Sequence, residues 1–118
     1  MADDDRLPTH LWVGAALARC SAEGVPAMVL HKGERMSGVV LVKISRLAEG
    51  GDAVRLLTQQ RDLDGRLGWV PALKEDRPSE ADADAYIARA RARDPDLWAV
   101  EVEDPTGRNP FDPKEAEE

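Results

Sequence analysis

The stretch Asp94–Asp104 reads DPDLWAVEVED. Asp94-Pro95 stops a helix, because the residue before a proline is pushed out of the helical region. The residues beyond it alternate, with Trp98, Val100 and Val102 on one face and Leu97, Ala99, Glu101 and Glu103 on the other. A strand over Leu97–Glu103 therefore buries one face and leaves the other partly wet. Trp98 points inward on this reading, and the chain is arranged around it.

Just upstream, Ser79 caps a helix with Asp82 at its third position, and Ala83, Tyr86, Ile87 and Ala90 recur at helical spacing. Acids crowd the start of this helix, and Arg89, Arg91 and Arg93 crowd its end, in accord with the helix dipole. A first helix opens at Leu7-Pro8-Thr9, with Thr9 as N-cap and Trp12, Val13, Ala16, Leu17 and Cys20 as its apolar stripe. Gly24 and Pro26 end it. Four strand patterns lie between the helices. Ala27–His31 is followed by a reversal at Lys32–Arg35, then Gly38–Arg46 reads as a central strand, apolar on both faces at its start. Ala53–Gln60 and Arg66–Leu73 are joined by the Asp64-Gly65 hairpin signal, and Pro71 gives the fourth strand an edge position.

The expected fold is an α+β two-layer sandwich: helix, four-stranded antiparallel meander, helix, and a fifth strand at the sheet edge in the order 5-1-2-3-4. The domain runs over residues 6–104. Residues 1–5 and 105–118 read as acidic, flexible tails, the second with only Phe111 to anchor it.

At 118 residues the chain is one domain, and five aromatic residues, three of them Trp, carry much of the packing. The net charge is −7. Asp3, Asp4, Asp5, Asp112, Glu115, Glu117 and Glu118, offset by Lys114, account for six of these charges, so the body stands at −1. Acidic termini of this kind solubilise. A single cysteine, Cys20, excludes an internal disulfide and every multi-cysteine metal site, and its place on the helix stripe reads as a small buried hydrophobe. No run approaches the ~18 apolar residues of a membrane span, and MADDDR is no signal peptide. The expected setting is the cytoplasm.

Motifs for chemistry are sparse. Gly50-Gly51 joins two strands and does not lead from a strand into a helix, so no phosphate-cradling loop forms and no cofactor is implied. His10 and His31 sit on different elements without metal-ligand spacing. Asp96 and Glu101 with Glu103 faintly resemble the carboxylates of metal-dependent nucleases, but Glu103 stands where a lysine belongs. Arg89, Arg91 and Arg93 point in different directions, which disfavours nucleic acid.

With Val40, Val42 and Ile44 beneath both helices, Val39, Leu41, Leu57, Leu97 and Ala99 would form an uncovered apolar patch, ringed by Lys43, Arg55, Gln59 and Glu101. Such a patch marks a partner, a self-association surface or a covering segment, which here would be Phe111 folding back over it. The leading expectation is therefore a non-enzymatic module that binds a protein partner or forms a homodimer through Val39, Leu41, Leu57, Leu97, Ala99 and Glu101. The alternative is a metal-dependent enzyme or nucleic-acid-associated factor built on Asp96 and Glu101 with Arg89 or Arg93.

Arg6-Leu7-Pro8 with Trp12, Lys32-Gly33-Glu34 with Gly38, Trp69 and the DPDLW segment before an acidic strand together resemble a family of small alphaproteobacterial proteins classed as a domain of unknown function. The resemblance spans roughly residues 6–104. It implies a bacterial, cytoplasmic, single-domain protein and transfers no activity.

Overall fold

A computed structural model describes residues 7–116; the N-terminal acidic segment and the last two glutamates lie outside the described residues. The elements run α1 (Thr9–Glu23), β1 (Ala27–His31), β2 (Val40–Ser45), β3 (Arg55–Arg61), β4 (Leu67–Pro71), α2 (Glu80–Arg93), β5 (Trp98–Glu103) and a final turn α3 (Pro113–Ala116). The α+β class and the order of helices and strands are those the sequence predicts. Ser79 Oγ accepts the Asp82 N–H at 3.1 Å as the cap of α2. Gly24 (φ 76°) closes α1, and the Val25 N–H behind it bonds Cys20 O. Thr9, however, is the first helical residue and not a cap: the Thr9 and His10 N–H groups donate to Met36 O and Arg35 O. A neighbouring loop satisfies the helix start in place of a side chain.

The sheet order is β1-β5-β2-β3-β4. The fifth strand is thus not at an edge. It inserts between β1 and β2, antiparallel to the first (Val29 opposite Val100) and parallel to the second (Val42 opposite Val100). The physical reason is in its composition: Trp98, Ala99 and Val100 are all buried, together with Leu97 just before them, and a strand apolar on both faces belongs in a sheet interior. Lys32–Arg35 is correspondingly no hairpin. Residues 32–39 pass over the start of β5, where the Glu34 N–H donates to Asp96 O and the Trp98 N–H to Val39 O. The wrap is close enough that a Cβ on Gly33 would overlap the carbonyl oxygens of Asp96 and Leu97; Gly38, at φ 128°, meets Asp96 O as well. The Trp98 indole N–H donates to Glu34 O at 2.8 Å, so the ring the sequence sets inward is also fastened to that loop.

The helices, expected together over Val40, Val42 and Ile44, instead take opposite faces of the sheet. Val13 and Ala16 of α1 pack with Val40, Val42, Ile44, Leu57, Trp98, Val100 and Val102. Ala83, Ile87 and Ala90 of α2 pack with Leu41, Leu56, Leu97 and Ala99. A helix that links β4 to a strand parallel to β2 must cross over the sheet, and here it does so on the side α1 leaves open.

The segment after Asp104, expected as a loose tail, is packed. Asn109 is fully buried and Phe111 is 4% exposed. Asp104 Oδ1 accepts the Thr106 N–H and hydroxyl, Arg19 donates to Pro110 O, and Glu115 accepts from Arg55 and the Asn109 N–H. Its charges, read as solubilising, are in part the fastenings of a strap across the α1 face.

Candidate binding site

The residues predicted to line an open sheet face are mostly core. Leu41, Leu97 and Ala99 lie beneath α2, and Leu57, opposite Val42 in the β2–β3 ladder, faces α1. Pairing register, which local alternation cannot supply, set Leu57 on the other face. Of the six, Val39 is exposed at 43% and Glu101 is half-buried.

Part of the predicted charged rim has become an internal clamp. Lys43 is 3% exposed, and its Nζ donates to Glu80 and Asp84 of α2 at 2.8 Å each, with Glu101 of β5 at 3.8 Å. Burial pulls the Lys43 pKa down, but the bonds to Asp84 and Glu80 and the charge of Glu101 outweigh it and set it above its ordinary value. Ser45 Oγ donates to Glu101 at 2.9 Å. This cluster fastens α2 to the sheet.

Asp96 and Glu101 do not converge. Asp96 is exposed in the turn before β5, while Glu101 lies within the strand and faces Lys43. Arg89 and Arg93 are exposed on α2. Among the described residues, no three His, Cys, Asp or Glu side chains are grouped to hold a metal ion. The histidine rings meet backbone carbonyls, His10 at Arg35 O and His31 at Pro95 O.

A concavity lies on the α1 side, beyond β3. Phe111 sits between two half-buried indoles, with ring centroids 6.2 Å from Trp12 and 6.5 Å from Trp69. A groove of about 640 Å³ opens beside them, floored by Gln59 and the β4 residues Leu67–Val70, and walled by Asp112, Pro113 and Lys114 of the strap. Its volume falls in the ~300–1,000 Å³ range of ligand sites. Three properties suit it to binding. β4 is an edge strand, so one side of its backbone lacks a ladder partner. The Trp12 and Trp69 indole N–H groups have no hydrogen-bond partner among the described residues, unlike that of Trp98. And its charged rim is unevenly committed, because Asp62 accepts the Asp64 and Arg66 N–H groups and Asp112 the Lys114 N–H.

Sequence pattern alone presents Trp12 and Trp69 as packing residues and Phe111 as a lone anchor. Their common signal is that a chain with five aromatic residues sets two of them on an exposed helix flank and an edge strand, where complete burial is not available.

No helix among the described residues is long and apolar enough to cross a membrane. No curated protein matches the chain. It is similar to a protein of Caulobacter crescentus CB15 known from a crystal structure (36% identity, TM-score 0.76, covering 89% of this chain and 94% of that one) and from an NMR structure (37%, TM-score 0.77, 91% and 93%). It is also similar to protein Atu0922 of A. tumefaciens in solution (26%, TM-score 0.64, 84% and 86%). The Caulobacter protein is of the DUF1491 family, and the model of that family, described as a protein of unknown function, matches residues 7–112, most of the strap included. The chain belongs to the DUF1491 family.

Proposed function

We propose that this protein is a non-enzymatic module that binds a protein partner, and that the binding surface is the groove between β4 and the Trp12–Phe111 wall, with no part played by the sheet face. The observation that carries this reading is the coincidence of a sheet edge with an aromatic concavity. An extended segment laid along an edge strand gains main-chain hydrogen bonds, and alternate side chains enter the flanking pocket. The half-buried indoles offer large apolar surface with an N–H donor at the rim, a combination enriched at interfaces.

The opposite edge competes for this role. β1 exposes Met28, Val29 and Leu30, the apolar content expected of a self-association surface. Its pairing is broken by a register shift between Val29 and His31, and such irregularity resists edge-to-edge association. The groove is therefore preferred.

Selection of a displayed random-peptide library on the full chain tests the proposal. Enriched sequences are expected to be extended, with a bulky apolar residue, and to lose binding to Trp69→Ala while that variant melts normally. Enrichment that survives Trp69→Ala but not Met28→Glu would move the site to β1.

A further inference from the structure

We infer that the segment the groove accepts carries carboxylates beside its apolar anchor, so that the ligand is an acidic extended peptide. This rests on the reading of the groove as a peptide site and adds the charge of its occupant.

The rim charges differ in how far they are already committed. Two carboxylates and three cations line the groove. Both carboxylates fold the local chain: Asp62 Oδ1 takes the Asp64 and Arg66 N–H groups at 2.9 Å, and Asp112 Oδ1 takes the Lys114 N–H at 3.0 Å. Each carboxylate keeps its charge and a second oxygen, so the two offset two of the three cations. Among the cations, Arg61 donates to Gly65 O. The side chains of Arg66 and Lys114 form no hydrogen bond or ion pair among the described residues. Both line the groove from separate elements, Arg66 at the β3–β4 turn and Lys114 in α3. In a chain of net charge −7 the groove lining stands at +1, with Arg66 and Lys114 uncommitted, a balance that favours anionic partners over cationic ones.

The test uses fluorescein-labelled synthetic peptides with one strand-forming backbone and one central Leu, flanked by Glu, by Gln or by Lys. Each is titrated against the full chain by anisotropy. The expected order is Glu tighter than Gln tighter than Lys, with Glu over Gln by roughly tenfold at low salt for two partly exposed ion pairs. The gap should narrow as salt is raised. The double substitution Arg66→Glu, Lys114→Glu should reverse the order while the melting temperature stays close to wild type, both residues being exposed. Equal binding of the three peptides, or preference for Lys, overturns the inference and leaves the peptide site standing. Failure of all three to bind wild type, when library selection also enriches nothing, overturns both.

Discussion

The two faces of the sheet are built by different means. The α1 face carries the large rings, with Trp98 and Phe111 clustered among Ile44, Val100 and Val102, and its rings run out at the β4 side into a groove. The α2 face is closed by alanines and aliphatic side chains, Ala83, Ala90 and Ala99 with Leu41, Leu56 and Ile87, and then fastened by the Lys43 clamp. Aromatic packing leaves concavities where ring shapes do not tile. The α2 side has a smaller concavity, about 340 Å³, lined by His31, Ala88, Arg91, Ala92 and Pro95. The proposed binding surface falls on the side that carries the rings.

Substitutions on each side should separate these contributions. Trp98→Ala removes the largest buried side chain of the α1 face together with its bond to Glu34 O, and should cost about 3–5 kcal/mol in denaturant unfolding. That is a large part of a typical ~5–15 kcal/mol total, and an unchanged midpoint would undo the contrast between the faces. Gly33→Val sets a branched side chain against the Asp96 and Leu97 carbonyls, where β5 is wrapped, and should cost about 1–3 kcal/mol by overpacking. Full stability in that variant would mean residues 32–39 do not press on β5.

Lys43→Met is the matching probe of the α2 face. Glu80 and Asp84 keep about half their side-chain exposure, so the carboxylates left behind remain solvated and the loss should be near ~1 kcal/mol, well below that of a fully buried broken pair. The pH dependence has a fixed sign. Because the folded Lys43 pKa is the higher one, its contribution is complete below the ordinary value of 10.5 and is lost as pH rises through the folded value. The gap between wild type and Lys43→Met should be constant from neutral pH to about 10 and close above it. A gap that closes at lower pH would show the clamp is not holding the ammonium. The smallest effect is expected at Gly14, in α1 with open space around it. There Gly14→Ala should stabilise by about 0.5–1 kcal/mol through helix propensity.

The features legible in the sequence were local. Alternation set Trp98 inward, Pro71 marked β4 as an edge, and Ser79 and Gly24 bounded helices by their own chemistry. The features that were not legible depend on residues far apart in the chain. Leu97 and Ala99 look like an exposed face until a parallel partner and a crossing helix are known. Leu57 changes faces with the β2–β3 register. The groove needs Trp12, Trp69 and Phe111 together, and the strap that brings Phe111 there carries the acidic composition of a solvated tail. Lys43, read as a rim charge, becomes internal only because Glu80 and Asp84 arrive from α2.

The proposed docking place for a partner is the groove rather than the sheet face. The direct measurement is a 1H–15N NMR titration of the full chain with a library-selected peptide, following the three indole N–H signals. Shifts at Trp12 and Trp69, with Trp98 still and slowed exchange at the β4 amides, are the predicted result. Shifts confined to Ala27–His31, or movement of Trp98 without Trp69, would contradict it.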